Sequence, residues 1–468
     1  MGEERRHDLV VLGAGAAGFA AAIRATEVGA SVALVERGAI GGTCVNTGCI
    51  PSKAMLAPAA MLFRAGHHPF AGIATRAEGV DLAALGAARA ELVERMRRER
   101  YLEIAQSHGF EVLRGRARFV DATTLDCDGL PLTASAYVVA TGAAPWTPPI
   151  DGLAAAAPLT TTSALGLSTV PAGVIVVGAG PSGLEWGQLL LQLGSRVTFV
   201  ESAPRIAPAE EAETSDTLQQ VLEDAGASVL TGAVITGVSR DGGRRVVTLE
   251  HGGRELVIAA DEVLVATGRR PSIEGLGLAE AGVAVDARGA VRVDGALRTT
   301  NPRVWAAGDI TGHPQLVYLA AREGALAAAN ALLGRTDTVD LRALPRVVFT
   351  TPAAAAAGLT AAQAAERGIV CESRVLPLSA VPRSIVDRDT RGFVKIVAET
   401  GSGRVVGVSV VADGAGEVLQ AAVYAIQLGA TVEQLAATWA PYLTVAEGLR
   451  LAAQAFTRDV ATLSCCSA

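Results

Sequence analysis

The sequence predicts an α/β fold organised around two Rossmann-like dinucleotide-binding units. Three observations carry that prediction. A strand, glycine-rich turn, helix and second strand occur twice; each copy ends on a glutamate; and each unit is followed at a distance by an apolar strand that runs into Ala-Thr-Gly. Alternating strand and helix patterns of this kind build a parallel sheet covered by helices.

The bulk composition agrees. At 468 residues the chain exceeds one hydrophobic core, so two to four domains are expected. Half the residues are hydrophobic, Gly is high at 52 and aromatics are only 4%, as in Ala/Gly/Val-rich α/β enzymes. The net charge of -7 is spread along the chain. It offers no basic stripe for nucleic acid or an anionic membrane. The start "MGEERRHDLVVLGAG" passes from a charged leader straight into a strand, and no run of about 18 apolar residues appears, so a soluble cytoplasmic protein without membrane insertion is expected. In a reducing cytosol, clustered cysteines point to catalysis or metal binding rather than to a disulfide framework. Four of the six cysteines are clustered: Cys44 with Cys49, and Cys465 with Cys466. Cys127 and Cys371 stand alone in apparent strands and read as small buried residues.

The first unit is "HDLVVLGAGAAGFAAAIRATEVGASVALVER", with Gly13, Gly15 and Gly18 in Gly-x-Gly-x-x-Gly and Glu36 closing the second strand. The glycines permit a tight turn and close approach of backbone to a pyrophosphate, and the helix N-terminus supplies N–H donors. Glu36 suits a ribose hydroxyl. The second unit, "AGVIVVGAGPSGLEWGQLLLQLGSRVTFVES", repeats this with Gly178, Gly180, Gly183 and Glu201. In both, the acid lies 18 positions after the last glycine. Two nucleotide sites in one chain invite a flavin and a nicotinamide, between which a hydride can pass.

"YVVATGAAPWTPPIDG" and "DEVLVATGRRPSIEGLGL" each place Ala-Thr-Gly after a strand at the far end of a nucleotide unit. "RVWAAGDITGHPQLVYLAAREGALAAANAL" then sets Asp309 between a strand and a long helix, where it could bind the polyol chain of a flavin or cap the helix.

"GGTCVNTGCIPSK" holds Cys44 and Cys49 five positions apart. Five residues of regular helix rise about 7.5 Å, beyond the roughly 7 Å limit for a disulfide. A break in the helix is therefore expected, and Gly48 and Pro51 provide for one. A helix beginning here would direct its positive end at the sulfurs and favour thiolate. The chain has only two lysines, Lys53 and Lys395, so Lys53 beside the pair suggests a compact positive charge placed on purpose, with Glu185 as its partner.

At this point the chain resembles, over essentially its whole length, the FAD-dependent pyridine-nucleotide disulfide oxidoreductases. The resemblance implies an FAD-binding domain over 1–150, an NAD(P)-binding domain over 151–270, a return to the FAD domain over 271–340, and a C-terminal α+β dimerisation domain over 341–468. It implies that Cys49 is the thiolate next to the flavin, that Cys44 is the outward interchange thiol, and that Lys53 and Glu185 form the ion pair near the flavin. Ala17, Glu36, Thr43, Ala117, Asp309 and Val317 match FAD-contact positions.

Members that reduce organic disulfides carry a His with a Glu five positions later, because a leaving thiolate must be protonated. Here "WAPYLTVAEGLRLAAQAF" keeps Glu447 but has Tyr442 at the His position, and no histidine follows His313. A phenol with pKa near 10 is a poor proton shuttle at neutral pH, which disfavours a reductase of an organic disulfide such as lipoamide.

The segments "VPRSIVDRDTRGFVKIV", "GSGRVVGVSVVADGAGE" and "LSCCSA" are similar instead to the mercuric reductase branch of the family. Soft thiolates select soft metals, and an ion that prefers linear S–M–S geometry is well served by sulfurs on a terminal arm. The resemblance implies that NAD(P)H, through FAD and Cys44/Cys49, reduces Hg(II) delivered as a thiol complex to Hg(0), in a homodimer whose Cys465 and Cys466 reach the partner's site. Tyr442 would sit beside the transfer site. No cysteine precedes Cys44, so the N-terminal metal-binding module of some members is expected to be absent. A protein that sequesters Hg(II) on its tail without turnover is the rival from another class, and the inner pair with bound FAD argues against it. For the nicotinamide the resemblance implies NADPH, whereas Glu201 favours NADH by repelling a 2′-phosphate, with Arg205 available to offset it.

Overall fold

The computed structural model describes residues 5–459. The chain opens with strand Arg5–Leu12, whose four buried residues Leu9 to Leu12 form the spine of a seven-stranded sheet. Its parallel neighbours are Val32–Glu36 and Leu130–Val139; Glu111–Arg114 extends one edge, and Val304–Ala306 returns much later in the chain to pair with Leu130–Val139. Between the first two strands lies the Ala-rich helix Ala16–Glu27.

A second parallel sheet of five strands has the order Ser228–Thr231, Arg196–Glu201, Gly173–Val177, Glu262–Val265, Leu159–Thr160. Helix Pro181–Gln192 crosses between its first two sequential βαβ strands, and the presence of Pro at its first position suits the fixed φ of a helix start. Strands Val234–Asp241, Arg244–His251 and Arg254–Ala260 add an antiparallel meander.

The third layer is a five-stranded antiparallel sheet in the order Pro345–Val348, Ala353–Gly358, Val405–Ala412, Phe393–Glu399, Cys371–Pro377, packed against helix Ala415–Leu428. Cys127 is buried as expected, at 6% exposure. Cys371 is only half-buried, which corrects the expectation of a core residue: it starts the edge strand of this sheet, where one side has no neighbouring strand to cover it.

The glycine turns show why glycine is required. Gly13 and Gly178 have φ of +99° and +93°, and a Cβ on them would strike the carbonyl oxygens of Ala140 and Ala266 at 2.5 and 2.8 Å. Those alanines begin the two Ala-Thr-Gly turns, so each turn abuts the first glycine of its unit. A Cβ on Gly18 or Gly183 would lie 1.8 or 1.9 Å from the carbonyl oxygen of Gly13 or Gly178.

Candidate active site and nucleotide sites

The two middle glycines behave differently from their neighbours. A Cβ on Gly15 would meet only Gly42 Cα, at 3.7 Å, and one on Gly180 would meet nothing within 4 Å. Open space in front of a bare backbone is what a pyrophosphate needs. Each terminal acid ties its loop together. Glu36 accepts the N–H groups of Ala14 at 2.8 Å and Gly38 at 2.7 Å, and Glu201 those of Ala179 and Ala203, both at 2.8 Å. A carboxylate oxygen accepts more than one hydrogen bond, so each acid retains lone pairs for a ribose hydroxyl.

Asp309 caps no helix. It lies in the turn Asp309–Thr311, and the following helix Val317–Leu333 starts at Val317 after Leu316. Burial raises its carboxyl pKa, and Arg269 approaches it at 3.9 Å. Ala17 is buried beneath the turn: a Cβ on Gly308 would lie 3.1 Å from it, and one on Gly324 would meet its carbonyl oxygen at 1.9 Å. This position therefore lets helices Ala16–Glu27 and Val317–Leu333 meet. Ala117 starts a short strand close to the end of Val32–Glu36, where Gly115 N–H donates to the Glu36 carbonyl.

The cysteines sit on two helices rather than one. Cys44 is in Gly42–Asn46, and Cys49 is the first residue of Cys49–Gly66. Gly48 breaks the run, with φ -119° and ψ -109°. Pro51 falls in the first turn of the second helix, where its missing N–H leaves no intrahelical bond unmade. Both cysteines are free thiols and both are half-buried. The Cys44 thiol donates a hydrogen bond to Cys49; with the Lys53 charge adding to it, this lowers the Cys49 pKa to about 7 against the cost of burial. Cys44 is pushed far up by the same hydrogen bond, by burial and by the charge on Cys49. Near neutral pH the pair is thus divided into a partly ionised Cys49 and a protonated Cys44.

Lys53 Nζ lies 2.7 Å from Glu185 Oε2 and 4.6 Å from the centre of the Phe349 ring. Glu185 is buried at 6% exposure, and its other oxygen accepts Phe349 N–H at 3.0 Å. One turn on, Gln188 bonds both the N–H and the carbonyl of Thr351. The second nucleotide helix thereby clamps the cysteine helix on one side and the 349–351 segment on the other.

Several contributors carried no sequence signal. Arg269, part of the second Ala-Thr-Gly segment, donates to Thr43 Oγ1 at 3.1 Å and to the Ala143 carbonyl, and it feels the charge of Cys49 as well as Asp309. Tyr101, at a π-helical turn Arg98–Leu102, packs edge-on against Phe19 and also senses both cysteines. A π turn in a helix is a recognised marker of functional places and is invisible in composition.

In the single chain Tyr442 is exposed. Glu447 is buried and pairs with Arg450 on its own helix, at 2.9 Å. Cys465 and Cys466 lie outside the described residues.

Comparison with known proteins adds to this geometry. Residues 7–324 match the pyridine nucleotide-disulphide oxidoreductase family, and residues 344–453 match its dimerisation domain. The mercuric reductase of Streptomyces lividans is 47% identical over 467 residues, covering 98% of each chain. That of Bacillus cereus is 43% identical over 461 residues, covering 98% of this chain and 73% of its own length. Among solved structures, the HOCl-induced flavoprotein disulfide reductase RclA from Escherichia coli superposes with a TM-score of 0.85 at 28% identity, over 96% of this chain and 99% of that one.

Proposed function

We infer the activity from membership: the chain belongs to the pyridine nucleotide-disulphide oxidoreductase family, and it is an NAD(P)H-dependent flavoprotein that reduces Hg(II) to Hg(0). It forms a homodimer, for which residues 344–453 supply the dimerisation domain. No helix among the described residues is long and apolar enough to cross a membrane.

The arrangement that carries the mechanism is Cys49 at the start of its helix, close to Lys53 and to Cys44 on the preceding short helix, with its thiol pKa lowered while that of Cys44 is raised. Gly13, Gly15, Gly18, Glu36, Thr43, Lys53, Asp309 and the helix start at Val317 are the residues that would hold FAD; Gly178, Gly180, Gly183 and Glu201 would hold the nicotinamide dinucleotide. FAD, when bound, supplies the electron pair that NAD(P)H replaces. Cys49 attacks the thiol-bound metal as thiolate, forming one S–Hg bond as one S–Hg bond to a small thiolate breaks and that thiolate leaves. Cys44 gives up its proton to the departing second thiolate and takes its place. Hg(II) then gains two electrons, both S–Hg bonds break, and the two sulfurs remain as thiolates. Cys465 and Cys466 of the partner subunit, we propose, deliver the metal, with Tyr442 at the entrance.

Purified protein in excess small thiol should oxidise NAD(P)H only when HgCl2 is added, and should release volatile mercury. Absence of metal-dependent oxidation would end this reading. Replacing both tail cysteines with Ala should remove turnover under excess thiol while FAD stays bound; unchanged turnover would make the tail dispensable.

Against the NADPH that the resemblance implies, we propose NADH as the preferred nicotinamide. Arg205, the residue available to offset Glu201, is spent on Ser215 Oγ at 3.0 Å and the Pro208 carbonyl at 2.9 Å. Glu201, whose carboxylate would repel a 2′-phosphate, supports that reading. A kcat/KM advantage of about tenfold or more for NADH is expected; an NADPH advantage would refute the assignment.

A further inference from the structure

Glu323 is fully buried, at 0% exposure, in the middle of helix Val317–Leu333. A buried carboxylate needs partners, and it has two. Its Oε2 accepts Gly308 N–H at 2.8 Å, and its Oε1 lies 2.6 Å from His313 Nδ1. Gly308 and His313 are the two ends of one turn, and Asp309 lies between them. Within the turn, Thr311 donates through both N–H and Oγ1 to the Gly308 carbonyl. Gly308, at φ +78°, is wedged between Ala17 and Ala320, so its position is shared with the first glycine-loop helix. One carboxylate therefore buckles the whole turn that presents Asp309.

We propose that His313 is a positioning residue for FAD: as imidazolium it secures Glu323, and through Glu323 the Gly308–His313 turn, so that loss of its proton loosens the grip of Asp309 on the cofactor. The inference deepens the FAD reading above and rests on it.

The charged groups that face the pair define its titration. Glu323 comes from the long helix, Asp309 from the turn itself, and Arg269 from the strand Arg269–Pro271, where it is directed at Asp309. The segment packed against Gly312 brings Asp286, which is turned back on the N–H groups of Arg288 and Ala290. The direct partner of His313 is thus a carboxylate with almost no water around it. The hydrogen bond to Glu323 raises the His313 pKa, with burial opposing and the Glu323 charge adding. A raised pKa means that the stabilisation is complete below about 6.5, the ordinary His value, and fades as pH rises through the folded-state value. The outer edge of His313 reaches solvent, with 38% of the side chain exposed, so proton exchange is open and substitution is tolerated.

The test follows release of FAD from diluted holoenzyme by the rise of free-flavin fluorescence, between pH 6 and pH 9. Wild type should release FAD about tenfold faster at the alkaline end, where loss of the His313 proton removes the charge-assisted part of its hydrogen bond to Glu323. His313→Gln should release it fast at every pH, and His313→Lys, cationic throughout this range, slowly at every pH. A wild-type profile that is flat, or a Gln variant that keeps the wild-type slope, or a Lys variant as fast as the Gln variant, would each overturn the proposal. Failure of the FAD reading itself looks different: the protein would purify without flavin absorbance at any pH.

Discussion

Cys49→Ser should lose HgCl2-dependent NAD(P)H oxidation by on the order of 10³-fold or more, with FAD content unchanged. A serine hydroxyl neither ionises near neutral pH nor binds a soft metal, so both properties that the low Cys49 pKa confers vanish together. Cys49 begins its helix and is half-buried, so the near-isosteric swap of sulfur for oxygen leaves the packing intact. The unfolding free energy should therefore change by less than about 1 kcal/mol. The measurement is single-turnover mercury release set beside a denaturant curve. A Ser variant that keeps a tenth of the wild-type rate would show that the chemistry does not depend on this sulfur.

The second large effect is a pair of opposite shifts. The Lys53 charge lowers the Cys49 pKa, whereas the Glu185 charge raises it. Lys53→Met should therefore move the Cys49 pKa up from about 7, and Glu185→Gln should move it down, each by roughly half a unit to one unit. Gln still accepts the Phe349 N–H, so the second variant keeps that anchor. Alkylation of the reduced protein by iodoacetamide, followed across pH, reads the thiolate fraction directly. Because Cys49 is reactive only as thiolate, labelling at pH 6.5 should fall in the Lys53 variant and rise in the Glu185 variant. Shifts of the same sign in both would mean that the ion pair acts on Cys49 by packing and not by charge.

Much of this site was legible in the chain. The glycine triplets, their closing glutamates and the Cys-x4-Cys spacing are local patterns, and each was where the sequence placed it: Gly48 breaks the helix between the cysteines, and the Ala-Thr-Gly turns abut Gly13 and Gly178. The partnership of Lys53 with Glu185 was also within reach, because a chain with two lysines marks each of them as unusual.

Other features had no local signature. Whether Asp309 caps a helix or faces a ligand depended on where the next helix begins and on Arg269 arriving from a distant strand. The clasp of Glu323 on Gly308 and His313, the Phe349 anchor of Glu185 and the diversion of Arg205 to Ser215 join residues whose sequence context gives no hint of the contact. Cys371 read as a core residue because its sequence is that of a strand, and only the order of strands in the sheet puts it at an edge.

The sequence by itself determined the two nucleotide folds, the redox pair and the family, since backbone conformation at glycine and the reach between two sulfurs are fixed by covalent neighbours. Tertiary structure alone decided how the Lys53 and Glu185 charges bear on the Cys49 thiol, where the Arg205 side chain goes and what holds the Asp309 turn. Those are through-space electrostatic quantities, and they take values only after packing has set the distances between groups and removed the water around them.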